Sequence, residues 1–229
     1  QDTSRYGTDF SEHKRLLPEL LRQLCAIDGF QWIRIHYVYP DELDDELINV
    51  IATEPKIVKY LDIPIQHCND RILKLMNRRG DKALLEELFA KLRSRIPDLV
   101  LRTSVITGLP GEGEEEFTEL CEFLKKHRLE RVGAFPFSPE EGTPAAEMPH
   151  PDLETAQHRA QMIEMLQSSI MDDYNASMLG KTLDVLVDGY DESYEQYYGR
   201  TYADSPEIDG RVWIASEEPV SEGTFVKIC

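Results

Sequence analysis

Leu16, Leu17, Leu20, Leu21 and Leu24 recur at helical spacing in "SEHKRLLPELLRQLCA" (11–26) and predict one amphipathic helix. The pattern then changes period. "WIRIHYVYP" (32–40) alternates and is rich in β-branched and aromatic residues, which predicts a strand. "DELDDELINVIATEP" (41–55) opens on acids and stops at a proline, the polarity of a helix. "YLDIPIQH" (60–67), "LVLRTSVITG" (99–108) and "RVGAFPFS" (131–138) predict three more strands. Between and after them lie helical patterns at 69–79, 81–96, 112–128 and 152–179, with Asn69 and Asp81 as N-caps of the first two.

Strands alternating with helices make the βαβ rhythm of a parallel sheet or barrel. Near-continuous apolar strands fit a sheet covered on both faces. Right-handed crossovers place every strand's C-terminal end on one rim, where such folds carry their sites. The rim loops here are "YPDEL", "QHCND", "GLPGE" and "SPEEGTP", with residues 1–7 as one more. After Leu179 the helical stripe vanishes, and short alternating strands with Gly, Asp and Pro turns predict a small, open, five-stranded β-barrel. Two domains are therefore expected, 1–179 and 180–229, with Gly180 closing the last helix.

Charge narrows the class of partner. The 229 residues include 43 acidic and 25 basic side chains, a formal net charge of −18, which repels nucleic acid and suits a basic protein. Cys25, Cys68, Cys121 and Cys229 fit neither a metal nor a cluster spacing, so they imply no bound metal and a cytoplasmic setting. No apolar run approaches the roughly 20 residues of a membrane span, and no membrane association is expected. The chain opens on "QDTSRYG" and stops in "GTFVKIC" as if within a strand; both ends read as cuts in a longer protein, and the β-domain as truncated.

The stretch "VITGLPGE" has the strand–glycine loop–helix layout of a phosphate site. It lacks the Lys and Ser/Thr of a P-loop and continues into Glu112, Glu114, Glu115 and Glu116. A phosphate-binding barrel enzyme is thereby disfavoured. Two readings stay open: a tight turn without ligand, or a glycine backbone that meets a neutral flat group. Arg102, Ser104, Ile106 and Gly108 share one strand face, and a guanidinium turned into a barrel needs an anion, for which a ligand carboxylate is a natural candidate. Gln66 shares a face with Pro64 and Asp62 on the neighbouring strand.

The stretches "QDTSRYG", "IQHCNDRILKLMNRR", "LRTSVITGLPGEGEEEF", "RVGAFPFSPEEGTPAAEMP" and "GKTLDVLVDGYDE…YGRTYADSPEIDG" together resemble the radical S-adenosylmethionine methylthiotransferases. Within that family they are most similar to the branch that methylthiolates an aspartate of a small-subunit ribosomal protein; the tRNA adenosine branch is the alternative. The resemblance implies an α/β fold, a partial (β/α) barrel followed by a small all-β, OB-like TRAM domain. It implies S-adenosylmethionine and two 4Fe-4S clusters as cofactors. One cluster supports reductive cleavage to a 5′-deoxyadenosyl radical, and the other delivers sulfur. The Cys-x3-Cys-x2-Cys run and the further three cysteines are missing here, so the cluster ligands would lie outside this chain, which alone would be inactive.

Carried over residue by residue, Ile106 and Gly108 should touch the adenine, Arg102 should lie near the methionyl carboxylate and Gln66 near the ribose. Gln1 and Asp2 should lie close to the methionyl end, whereas Glu112 should cap the following helix. Residues 180–229 hold 11 acids and 4 bases, a net of −7, which favours a basic ribosomal protein over tRNA. Asp204, Glu207 and Asp209 in "ADSPEIDG" are the expected partner-binding residues. A monomer is expected. A reading of another class is a non-catalytic acidic protein-binding module.

Overall fold

The computed structural model describes every residue except Gln1 and Glu12. Four parallel strands form one sheet in the order β1 (Ile33–Ile35), β2 (Ile57–Asp62), β3 (Val100–Thr107), β4 (Arg131–Pro136). The helices are α1 (Leu17–Ala26), α2 (Asp45–Thr53), α3 (Asp70–Leu75), α4 (Lys82–Arg95), α5 (Glu114–His127) and α6 (Leu153–Met178). Their starts follow the side-chain chemistry. Asn69 accepts the Arg71 and Ile72 amides, Asp81 that of Leu84, and Asp152 that of Thr155.

Two expected strands have different bounds, each for a local reason. β1 ends early because Tyr37 takes a left-handed φ of 59° and Pro40 opens a 3₁₀ turn, Pro40–Glu42. β2 ends at Asp62, two residues before Pro64, which has no N–H to donate. The chain nevertheless keeps alongside β3. The Ile63 amide donates to the Arg102 carbonyl at 2.9 Å and the Gln66 amide to the Ser104 carbonyl at 2.9 Å.

Period two divides the sheet. Ile57, Leu61, Leu101 and Val105 face outward and join the main core with Ile48, Ile51, Phe89, Leu92, Leu120, Phe123 and Ile163 from the helices. Inward go Arg34 and His36, then Tyr60 and Asp62, then Arg102, Ser104 and Ile106, then Arg131, Gly133 and Phe135. These inward residues line what a closed barrel would enclose.

After α6, four antiparallel strands form a second sheet in the order β7 (Val212–Ile214), β6 (Gln196–Arg200), β5 (Leu183–Asp191), β8 (Phe225–Ile228). Four strands are described where five were expected. Gly180 stands just past α6 at φ 79°. Gly199 is needed where β6 crosses β5, because a Cβ there would collide with the Leu186 carbonyl.

The segment 201–210 between β6 and β7 overturns one expectation. Asp204 and Asp209 do not form an acidic surface. The Asp204 carboxylate is 2.9 Å from Arg131 Nη2, with the two side chains only 9% and 6% exposed, and its other oxygen accepts the Thr201 amide and hydroxyl. Asp209 accepts from the Tyr60 hydroxyl and the Ser205 amide, each at 2.8 Å. Arg34 donates to the Asp204 carbonyl, and Ala203 and Tyr202 pack on Val58, Tyr60 and Val100. The inward arginines and tyrosine of the parallel sheet thus draw these carboxylates inside, where pairing offsets the cost of burial. Glu207 alone of the three stays exposed.

Candidate functional site: the open end of the parallel sheet

Segment 201–210 covers the inward face around Arg34, Tyr60 and Arg131. Nothing among the described residues fills the same face farther along the strands. Arg102, Ser104 and Ile106 are each buried only in part, and Phe135 on β4 is 53% exposed. A large aromatic left open beside an arginine, a serine and an isoleucine is a surface prepared for a ligand with polar and flat apolar parts.

Arg102 and Asp62 are register partners on adjacent strands. Their Nε and Oδ1 stand 4.0 Å apart, too far for a hydrogen bond, with both side chains about nine-tenths buried. Asp62 Oδ1 has no hydrogen-bond partner within the protein. Burial pushes the Asp62 carboxyl above its ordinary range, against the pull of Arg102 and His36. Burial pushes His36, 4.0 Å from Asp62, downward. The anion nearest the inward guanidinium is therefore a protein carboxylate.

The glycine loop keeps its own amides. Gly108 N–H donates to Glu112 Oε1 at 2.9 Å, Gly111 N–H to the Pro149 carbonyl at 3.2 Å, Glu112 N–H to the Leu109 carbonyl at 2.9 Å and Gly113 N–H to Glu116 at 2.9 Å. The amides of all three loop glycines are thus spoken for, and the acids that follow them disfavour phosphate. Glu112 is buried with Arg159 Nη1 at 2.8 Å and His67 Nε2 at 3.5 Å. The Asn69 amide donates to His67 Nδ1 at 3.0 Å, which puts the proton of the neutral ring on Nε2, toward Glu112. Glu112 therefore ties the glycine loop to α6, with His67 of the "QHCND" loop packed beside it. Gly108 itself has φ 75°, and a Cβ there would collide with Ala156.

The expected site residues fall into two groups. Arg102, Ile106, Gly108 and Gln66 come together along β3 and the end of β2, where Gln66 bridges Val105 at a left-handed φ of 68°. Asp2 stands apart from them, in a turn held against the chain that follows β1. Its carboxylate accepts the Ser4 amide at 3.1 Å and the Ser4 hydroxyl, and Thr3 bonds the His36 and Tyr37 carbonyls. Gln1 lies outside the described residues. Sequence reasoning passed over Asp62 and Phe135 as ligand-facing groups. Both alternate in phase with Arg102 and Ile106, and that phase was the available signal.

Metal ligands are not gathered anywhere among the described residues. All four cysteines are free; Cys68 is buried, and burial pushes its thiol up to about 12. No helix among the described residues is long and apolar enough to cross a membrane.

The architecture is a four-stranded parallel half-barrel whose inner face stays open around a guanidinium–carboxylate pair. Residues 6–124 match the radical SAM superfamily and residues 179–229 the TRAM domain, and the chain belongs to the radical SAM superfamily. Its sequence is 46% identical, over its whole length, to the ribosomal protein uS12 methylthiotransferase RimO of Acetivibrio thermocellus and 47% identical to that of Lachnoclostridium phytofermentans. It covers 50% and 52% of those two proteins, so the chain spans about half the length of the curated relatives it matches. Among solved structures, coproporphyrinogen III oxidase (HemN) of Escherichia coli, a radical SAM enzyme, superposes with a TM-score of 0.54 at 19% identity, over 67% of this chain and 36% of that one. That likeness is one of fold. Membership of the superfamily implies S-adenosylmethionine and a 4Fe-4S cluster as cofactors.

Proposed function

We propose that this chain is the radical SAM and TRAM portion of a methylthiotransferase that modifies an aspartate of ribosomal protein uS12. The observation that carries the reading is identity of 42–48% to proteins of that name along nearly the whole chain. The inner face supports it physically. S-adenosylmethionine joins a cationic amino acid to a neutral nucleoside, and the open column offers the Arg102–Asp62 pair to the one and Ile106, Phe135 and the Gly108 backbone to the other. The unpartnered Asp62 oxygen fits a donor on that ligand. Glu112, His67 and Arg159 hold Gly108 in place without presenting charge to the base.

The cluster has no ligand set among the described residues. In the longer protein we assign two 4Fe-4S clusters, with ligands outside this chain; when bound they supply the electron for S-adenosylmethionine cleavage and the sulfur. The residues of this chain bind and orient the nucleoside and keep its reactive end on the open rim. The protein is cytoplasmic and works as a monomer.

The partner reading survives with different residues. Asp204 and Asp209 are buried, but Glu192, Glu195, Glu207, Glu217, Glu218 and Glu222 of the second sheet are exposed and have no ion pair among the described residues. Their field suits a basic ribosomal protein and disfavours tRNA. Tyr194 and Trp213, 4.8 Å apart and exposed, add contact area within that acidic surface. The test is anaerobic incubation of the full-length, cluster-reconstituted enzyme with uS12 or with tRNA, read by mass spectrometry. Methylthiolated aspartate in uS12 is the expected result. Methylthiolated adenosine with unmodified uS12 would shift the assignment to the tRNA branch, and neither product would favour a binding module without chemistry.

A further inference from the structure

The parallel sheet's own inner face is short of negative charge. Arg34, Arg102 and Arg131 are turned inward, and Asp62 is the one acid among the inward strand residues. The remaining carboxylates come from farther along the chain. Asp204 and Asp209 lie on the segment that joins β6 to β7, so the second domain supplies them. Asp204 is committed to Arg131. Asp209 is committed only in part. One of its oxygens accepts from the Tyr60 hydroxyl and the Ser205 amide. The other stands 3.8 Å from Arg131 Nε, beyond hydrogen-bond range, and that Nε has no hydrogen-bond partner within the protein. Arg34 lies 4.3 Å over the Tyr60 ring, and its Nη1 is likewise buried without a partner.

Asp209 also adjoins the open end. The hydroxyl that it holds belongs to Tyr60, two residues before Asp62 on the same strand face. Arg131, beside it, is the register partner of Arg102, and Arg102 is that of Asp62. The charge of Asp209 is felt along this column. Burial pushes the Asp62 carboxyl up and Asp209 adds to the push; burial pushes His36 down and Asp209 opposes it. Charges held inside a protein are screened far less than charges at its surface.

A face lined with guanidiniums is a poor receptor for a cation. S-adenosylmethionine carries a sulfonium, whereas S-adenosylhomocysteine joins the same adenosine and amino acid through a neutral thioether. Resting on the methylthiotransferase reading, we propose that Asp209 is a specificity-determining residue for the cofactor. It is a fixed negative charge, carried into the half-barrel by the second domain, that lets an arginine-lined face prefer the sulfonium to the thioether. Asp209 acts through its field, and Asp62 is the carboxylate that faces the ligand. Tyr60 and Ser205 hold Asp209 still, so the effect needs no movement of the segment. Cofactor selection in the half-barrel thereby depends on the second domain.

The test compares Kd values for S-adenosylmethionine and S-adenosylhomocysteine on full-length, cluster-reconstituted enzyme, by equilibrium dialysis without reductant, so that no cofactor is cleaved. Wild type is first shown to bind S-adenosylmethionine and Asp62→Asn to weaken that binding; failure of either would fault the assignment of the open face itself. Given both, Asp209→Asn should weaken S-adenosylmethionine about fivefold and S-adenosylhomocysteine less than about twofold, the difference expected of one partly screened charge. Asparagine keeps an oxygen for Tyr60 and Ser205, so the segment stays seated. Arg34→Gln removes a cation from the same face and should move the ratio of the two affinities the other way, which tests the claim even if Asp209→Asn fails to fold. An unchanged ratio in Asp209→Asn, equal losses for the two ligands, or a shift of the same sign from Arg34→Gln would overturn the proposal.

Discussion

Arg102 and Arg131 are register partners on neighbouring strands, both turned to the inside of the same sheet, and they have opposite surroundings. Arg131 is 6% exposed, paired with Asp204, 3.8 Å from Asp209 and stacked 5.3 Å over Tyr174. Arg102 is 13% exposed, beside a carboxylate it does not reach. One end of the inner face is finished with protein and neutralised, and the other end is left unfinished. The difference teaches how to tell core from site where residue types alone cannot. A buried charge whose partners are all within the chain is structure. A nearly buried charge with an orphaned neighbour on an open face is a place for a ligand.

The largest effect should come from breaking the finished end. Arg131→Ala would leave Asp204 and Asp209 buried without their cation, which costs about 3–5 kcal/mol. Urea unfolding should show it plainly, whereas Arg102→Ala should cost less than half as much. Equal losses would erase the distinction between the two arginines. The second effect sharpens the open end. In the full-length enzyme Arg102→Ala should impair S-adenosylmethionine cleavage while leaving the clusters' visible absorbance intact; cleavage with wild-type rate and affinity would make Arg102 structural.

Gly108→Ala comes next. The left-handed backbone and the collision with Ala156 should cost about 1–3 kcal/mol and weaken S-adenosylmethionine binding at the same time. Loss of stability with unaltered binding would detach the loop from the ligand.

A smaller effect is pH-dependent. The Arg71 side chain and the Gly113 amide hold the Glu116 carboxyl down at about 2, so its contribution to stability is present above the ordinary carboxylate range and lost as pH falls toward 2. Arg71 is half-exposed, which limits the pair to about 1 kcal/mol. The stability difference between wild type and Glu116→Gln should shrink along that acid limb; a difference constant with pH would contradict it. The smallest concerns thiols. At mild pH a maleimide should label exposed Cys229 first and Cys68 not at all in the native protein.

Much of this was legible in the chain. The βα rhythm, the caps at Asn69 and Asp81 and the period-two face of Arg102, Ser104 and Ile106 depend on neighbours in sequence, and the structure follows them. Glu112 was expected to cap the following helix and instead accepts the Gly108 amide and pairs with Arg159, 47 residues further on. The fate of "ADSPEIDG" was not legible. Asp204 reads as a solvated acid until a strand 73 residues earlier brings Arg131 to it. Asp62 was hidden likewise, since its isolation is a matter of a 4.0 Å gap across two strands rather than of residue type.

The central claim is that the nucleoside occupies the open end and leaves the plugged end untouched. Hydrogen–deuterium exchange of the full-length, reconstituted enzyme with and without S-adenosylmethionine tests it directly. Protection should appear in 62–68 and 102–110 and be absent from 201–210. Protection confined to 201–210, or none in 102–110 at saturating ligand, would contradict it.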